Sequence, residues 1–361
     1  MKRLLHIAFL LLAAIPAAGQ IQYGAYLDYY FDNREFDVSG EKYMESQTLH
    51  SVRFTPTLGI ALHSGENSSH RLMIAADIFR DMGSRKKLKD SFDELTVFYD
   101  YRRTLSENKS VQVVAGVFPR RMAEGEYGEM IWSDSLRFYD PNLEGMLIKY
   151  SSARFNAEIG CDWMGKYSLD IRERFQIFTS GCWNALDWLK LGWAGLFYHY
   201  ATSALAKNVI DNHLFYPYAD LDISPWTGFF DEWSFRTAGL LGYQRARDIA
   251  PSPELPLGGE FSMVMRKWKL SLSNNLYLGD NMQHYFDYVS PEGSRYGYDL
   301  YPSAPYFRGY YFRNELCFQQ PLSEFAALRI SARFHFDKSG FLGSQQMVSL
   351  FVTMRAAKKW Q

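Results

Sequence analysis

The stretch AALRISARFHFD, residues 326–337, alternates apolar and polar side chains almost one for one. Leu328, Ile330 and Phe334 fall on one parity, whereas Arg329 and Arg333 fall on the other. Successive side chains of a β-strand point to opposite faces of its sheet. The stretch therefore predicts a strand with one apolar and one charged face.

The same alternation recurs in about sixteen segments, and no segment of the mature chain is apolar enough to cross a membrane as a helix. In a closed barrel every backbone amide finds a partner on the next strand, so each strand shows lipid only every second side chain. The mean hydropathy of −0.27 agrees with this arrangement. We predict an all-β fold, a transmembrane antiparallel up-and-down β-barrel of about 16 strands. The pattern is lost between His199 and Ser234, which leaves 14 or 18 strands open.

Composition separates this fold from the alternative of a soluble β-sandwich. Tyr 25, Phe 27 and Trp 9 make the chain 17% aromatic. Barrels collect aromatic side chains at both membrane boundaries, and many of these residues stand at the ends of the predicted strands. The net charge of −1 argues against a nucleic-acid partner, which needs a concentrated basic surface.

Residues 1–19 predict a secretory signal peptide, with Lys2 and Arg3 before an apolar run and small residues before Gln20. Residues 20–361 would then form the barrel in the outer membrane of a Gram-negative cell. The expected partners there are outer-membrane lipid, lipopolysaccharide and the barrel-assembly machinery. The first strand follows the predicted cleavage site at once, so we expect no plug domain of an energised receptor.

Charged side chains of the inward parity predict a water-filled lumen. Its arginines outnumber its acids, which favours anions mildly. The alternative is that these arginines pair with neighbouring carboxylates and brace the wall. The predicted lumen wall contains Arg53, Arg71, Arg102, Arg154, Arg174, Arg236, Arg266, Arg313, Arg329 and Arg333.

The long segment 119–142 follows the fifth predicted strand and is rich in both charges. We predict that it folds into the lumen as a constriction; the alternative is an ordinary surface loop. Its charged residues are Arg120, Arg121, Glu124, Glu126, Glu129, Asp134, Arg137 and Asp140.

On this strand pattern and this segment the chain resembles the outer-membrane porins, in particular the phosphate-selective-porin-like barrels of the Bacteroidota. The third extracellular loop of porins likewise follows strand five. The resemblance implies a constriction in which the acids of 119–142 face lumen arginines. The chain departs from the family at its end, because many porins finish on an aromatic residue and this one finishes on Trp360 and Gln361.

Other features give weaker predictions. A second long loop, 280–307, carries six tyrosines that could stack on sugar rings or pack a stiff loop. Cys161 and Cys182 could form a disulfide. The histidines have no catalytic or metal-ligand spacing, so we expect no enzyme, no cofactor and no metal.

The sequence thus predicts a passive diffusion channel for small hydrophilic solutes and leaves a homotrimer open. One alternative is a hydrophobic-substrate transporter of the fatty-acid-transporter type, with Trp226, Phe229 and Phe230 at a side exit. Another is the structural barrel of a secretion or surface-anchoring complex.

Overall fold

The computed structural model describes residues 19–37, 44–84, 88–250, 252–289, 296–297 and 309–359. The strands are β1 Gly19–Phe36, β2 Thr48–Ser64, β3 Ser68–Asp81, β4 Phe92–Ser106, β5 Lys109–Pro119, β6 Asn142–Ser151, β7 Phe155–Gly165, β8 Arg174–Leu186, β9 Leu189–Tyr200, β10 Ile210–Asp222, β11 Glu232–Ala246, β12 Leu257–Lys267, β13 Leu270–Gly279, β14 Tyr310–Pro321, β15 Ala326–Asp337 and β16 Gly340–Lys359. The helical elements are α1 Asp134–Tyr139, α2 Ser224–Thr227 and the 3-10 turns Leu88–Ser91 and Arg120–Met122.

Each strand pairs antiparallel with its neighbours in sequence, and β1 closes the ring on β16. Leu27 of β1 lies opposite Val352 of β16 and, on the other side, opposite Phe54 of β2. The predicted fold class and the count of sixteen strands are confirmed. Of the predicted signal peptide, 1–18 lie outside the described residues, and Gly19 is the first residue of β1.

The two parities of the strands separate as the alternation predicts. Leu72, Leu95 and Leu316 are about half exposed on the outer surface. The inward residues Asp77 and Asp100 are buried. The outer wall is thus apolar and suited to lipid, while the charged side chains of the strands point mostly into the ring. No helix in the described ranges has the length and hydropathy to span a bilayer.

The connections define two ends of the barrel. At the short-turn end, 107–108 join β4 to β5 and 268–269 join β12 to β13. At the long-loop end lie the connections 120–141 and 280–309. The connection from β10 to β11 at the short-turn end holds Trp226 and Phe229, both more than 60% exposed. The proposed side exit in the wall is therefore wrong for these residues, which lie at the rim.

The lumen is not uniformly lined with polar side chains. Along the middle of β8 to β11 many inward side chains are apolar and buried, which corrects the expectation of a uniformly water-filled bore at this level. The physical reason is that segment 120–141 lies inside the ring and packs its own apolar residues there. The buried inward side chains include Phe178, Ala194, Leu196, Tyr198, Leu214, Tyr216, Ala238 and Leu240.

All three cysteines are free thiols. Cys161 pairs across the ladder with Ile177, and Cys182 pairs with Asn156. Cys161 follows the outward parity of β7, whereas Cys182 follows the inward parity of β8, so the disulfide that the sequence left open does not form.

Candidate functional site

Segment 120–141 leaves the long-loop end of β5 and lies inside the barrel. It starts with the 3-10 turn Arg120–Met122 and later forms α1. The N-terminus of α1 is capped by Ser133, whose side chain accepts a hydrogen bond from the Leu136 N–H. Segment residues contact inward side chains from both sides of the ring, so the segment extends across the lumen.

Arg120 fastens the two ends of the segment together. Its Nε donates to the Asp140 carbonyl at 2.9 Å, and its Nη2 donates to the Asp140 carboxylate at 2.8 Å. The same Nη2 reaches Asp162 of β7 at 3.3 Å. Arg120 is 2% exposed, so this charge depends on these oxygens for the hydrogen bonds that water would otherwise supply.

The next residues of the segment bind to the wall through their backbone. The Glu158 carboxylate of β7 accepts the N–H groups of Glu124 at 3.0 Å and Gly125 at 2.9 Å. It also accepts the hydroxyl of Tyr127 at 2.8 Å. A Cβ at Gly125 would lie 2.5 Å from the Ser180 Cβ, so only glycine allows this close approach.

Three carboxylates of the segment form ion pairs with arginines of the opposite wall. Glu126 binds Arg236 of β11 at 2.7 Å, and Asp134 binds Arg333 of β15 at 2.7 Å. Glu129 binds Arg313 of β14.

These arginines set the protonation of the two deeper carboxylates. The Arg333 guanidinium holds the pKa of Asp134 well below its usual range. Burial alone would raise the pKa of Glu129, but Arg313 and Arg333 outweigh it and lower that pKa. Both side chains are therefore anions at neutral pH, and the segment is tied across the lumen by charge.

The apolar residues of the segment pack against the dry side of the ring. Trp132 is 1% exposed, and its ring centre lies 3.9 Å from that of Tyr127 and 5.0 Å from that of Phe178 on β8. Aromatic burial of this kind stabilises the position of the segment beyond its ion pairs. The sequence analysis did not identify Trp132 as part of the site, although an aromatic residue flanked by Ile131 in a charged loop was an available signal.

The remaining predicted residues of the segment have separate environments. The Arg121 guanidinium stacks on the Tyr26 ring of β1 at 3.6 Å. Arg137 lies 5.5 Å from the Trp132 ring. Burial raises the pKa of Asp140 to about 6, although Arg120 opposes the shift.

Most of the predicted wall arginines are inward and bound to carboxylates. Arg53 pairs with Asp77 at 2.6 Å, and Arg71 pairs with Asp100. Arg329 and Arg333 share Glu315 at 2.6 and 2.7 Å. The geometry of these arginines thus fits the alternative interpretation, in which they pair with neighbouring carboxylates and brace the wall.

Three other wall predictions differ from this pattern. Arg266 pairs with Glu232 near the short-turn end while staying half exposed. Arg174 donates to the Met164 carbonyl at 3.2 Å at the start of β8. Arg154 lies exposed in the turn before β7 and is not part of the wall, because β7 begins only at the next residue, Phe155.

Two further arginines are also functional candidates. Arg34 pairs with Asp32 at 2.6 Å near the end of β1. Arg355 of β16 lies 5.2 Å from the Tyr26 ring, opposite Arg121 in the same cavity. The alternation of β1 and β16 carried both signals.

The second long loop is described only in part. Tyr285 and Tyr296 are buried, and Tyr296 packs 5.2 Å from Tyr200 of β9. These two rings pack in the interior. This agrees with the interpretation that tyrosines of loop 280–307 pack a stiff loop. Tyr298, Tyr301 and Tyr306 lie outside the described residues.

Two cavities open near the short-turn end, where different strands meet the segment. We call the first, about 560 Å³, the basic compartment; its charged lining residues are Arg71, Arg102, Arg121, Lys149, Arg355 and Glu124. We call the second, about 570 Å³, the acidic compartment; eight carboxylate and four basic side chains line it. Glu126, Glu129, Arg236 and Arg313 belong to the second lining, so the ion-paired stretch of the segment borders the acidic compartment.

No family model matches the chain, and no curated protein matches its sequence. Solved structures do match its fold. A loop-deletion mutant of OmpT, an outer membrane protein of Vibrio cholerae, is 10% identical with a TM-score of 0.55, and covers 93% of this chain and 99% of its own. A mutant of the Rh. blastica porin is 10% identical with a TM-score of 0.45, and covers 92% of this chain and 99% of its own. Pseudomonas aeruginosa OccK5 is 9% identical with a TM-score of 0.44, and covers 94% of this chain and 98% of its own.

Proposed function

We propose that this chain is a porin of the Gram-negative outer membrane, a passive diffusion channel for small hydrophilic solutes. The observation that carries the proposal is a charged segment held across the lumen of a closed, outwardly apolar barrel. A segment in that place leaves only narrow aqueous space beside it, so solutes are selected by size and charge. The short turns would face the periplasm and the long loops the cell exterior.

The constriction in this proposal is segment 119–142 with the arginines it faces. Its carboxylates are neutralised by Arg236, Arg313 and Arg333, so they add little net field. Among the described residues, no carboxylate forms an ion pair with three arginines of the basic compartment, which supports a mild preference for anions. Lipid, lipopolysaccharide and the barrel-assembly machinery are the proposed partners, and a homotrimer is a further proposal that mass measurement in detergent would test.

Planar bilayers with potassium chloride on both sides test the channel. We expect discrete, stable conductance steps from the purified barrel. Under a salt gradient we expect a reversal potential whose sign corresponds to anion selectivity. A folded barrel that inserts without steps would contradict the channel. A reversal potential on the cation side would contradict only the anion preference.

A further inference from the structure

The basic compartment holds three guanidinium groups that the barrel itself does not neutralise. Of its five bases, Arg71 pairs with Asp100, and Lys149 pairs with Glu124 at 2.8 Å. Within the described part of the chain, no carboxylate forms an ion pair with the other three. They are Arg102 of β4, Arg121 of the segment and Arg355 of β16.

One aromatic ring brings two of these cations together. The Tyr26 ring has the Arg121 guanidinium 3.6 Å and the Arg355 guanidinium 5.2 Å from its centre. Stacking on a ring offsets part of the cost of placing like charges side by side, but it does not cancel their repulsion. The Asp28 carboxylate, one inward position further along β1, interacts with Arg121 electrostatically but is not part of the cavity lining.

A glycine next to Tyr26 lets β1 approach its neighbouring strands closely beside these groups. Gly24, the preceding inward position of β1, lies opposite Arg355 on one side and Thr57 on the other. A Cβ at Gly24 would lie 2.6 Å from the Met354 carbonyl and 3.2 Å from the Thr57 hydroxyl. Only glycine therefore fits at this position next to Arg355.

The positive charge is local to this side of the lumen. The acidic compartment has about the same volume but an excess of carboxylates. Its Arg236 and Arg313 are bound to carboxylates, as is its Arg266. An anion in the lumen would therefore find unpaired guanidinium groups on the basic side.

We propose that Arg121 and Arg355, stacked on Tyr26 and supported by Arg102, bind a small organic anion that carries two carboxylates. A guanidinium presents paired N–H donors that match a carboxylate, and two such groups at one ring provide for two carboxylates. A cavity of about 560 Å³ accommodates a molecule of this size. The role of the site as a selectivity step rests on the proposed channel function, whereas binding itself does not.

The test is isothermal titration calorimetry on the full barrel in neutral detergent at constant ionic strength. The probes are succinate, which carries two carboxylates, and acetate, which carries one. We expect succinate to bind at least about tenfold more tightly than acetate, because its second carboxylate adds a charge-assisted contact with the second guanidinium. The double variant Arg121→Gln with Arg355→Gln should lose this difference.

The matched control is Arg266→Gln, the same substitution in the acidic compartment, which should leave succinate affinity unchanged. Arg121→Lys keeps the charge without the planar fork and should weaken succinate binding less than Arg121→Gln. Heat-dependent gel mobility shows whether each variant is a folded barrel. Equal affinity for succinate and acetate in the native barrel, or an equal loss in Arg266→Gln, would overturn the site.

Bilayer recording separates this proposal from the channel proposal. Conductance steps without selective succinate binding would reject the site and leave the channel. Selective binding without conductance steps would support the site and reject the channel.

Discussion

At the scale of single residues, Gly125 determines how closely the segment approaches the wall. Its N–H donates to Glu158, and a methyl group on its Cα would overlap Ser180 and the Glu158 carboxylate. A hydrogen bond to a buried carboxylate is lost when the two groups cannot approach. We therefore expect Gly125→Ala to loosen the segment and to give larger, noisier single-channel steps than the native barrel.

The matched control for this variant is Gly259→Ala. A Cβ at Gly259 would meet only the Ala238 carbonyl at 3.8 Å, an ordinary contact. Its conductance steps should equal those of the native barrel. Unchanged steps in Gly125→Ala would show that the contact with Glu158 does not hold the segment.

Asp140 gives a second prediction at this scale. Its pKa of about 6 means that the side chain changes from neutral to negative as the pH rises from 5 to 7. Arg120, Asp162 and Arg53 are the charges that act on it. The segment thus gains negative charge over this range, and the anion preference should fall.

Reversal potentials at pH 5 and pH 7 measure this change. Asp140→Asn should remove the step near pH 6, because the amide does not titrate. A step of the same size in Asp140→Asn would assign the titration to another group.

At the scale of elements, the segment is held as a unit by its carboxylates. Asp134 and Glu129 have pKa values lowered below 3.8 and 4.5 by Arg333 and Arg313. For carboxyl groups with lowered pKa values, the stabilisation is present at neutral pH and is lost as the pH falls through those values. We expect the ion pairs to weaken progressively below about pH 4, with conductance noise that rises further as the pH falls through the lowered pKa values.

The double variant Asp134→Asn with Glu129→Gln tests this mechanism. It lacks both charges at every pH, so its conductance noise should already be raised at pH 7 and should change little below pH 4. A double variant whose conductance noise at pH 7 equals that of the native barrel would show that the apolar contacts of Trp132 hold the segment without the ion pairs.

Elements also differ in how well the sequence predicted them. The alternation is clearest in β13 to β16, and all four of these strands form. In β8 to β10 many inward residues are apolar as well, because Tyr198 and Leu214 belong to the same buried core as Trp132 rather than facing water. The sequence does not show whether an apolar residue faces the lumen or the lipid, because burial against protein and exposure to lipid favour the same side chains.

At the scale of the whole molecule, the closure of β1 on β16 creates the lumen. Leu27 and Val352 are direct cross-strand partners. Paired residues of an antiparallel ladder have Cα atoms about 4.5–5.5 Å apart, within the range that a disulfide spans. We expect Leu27→Cys with Val352→Cys to crosslink on oxidation.

The crosslinking experiment replaces Cys161, Cys182 and Cys317 by serine first, so that only the new pair can react. The product is detected by its altered gel mobility without reductant. The control pair Leu27→Cys with Met354→Cys is out of register and should crosslink poorly. Equal crosslinking of both pairs would contradict the register of the closing strands.

The sequence by itself determined the class of fold and the outer surface of the molecule. The sequence predicts on which side of the sheet Leu328, Ile330 and Arg333 lie, because successive side chains of a strand alternate between its two faces. Only the tertiary structure decided that Arg333 meets Asp134 and that Arg121 and Arg355 share Tyr26. These partners are brought together by ring closure and by the path of one segment through the lumen. Neither the ring closure nor the path of the segment produces a periodic pattern in the sequence, because the same alternation of side chains is compatible with many such paths.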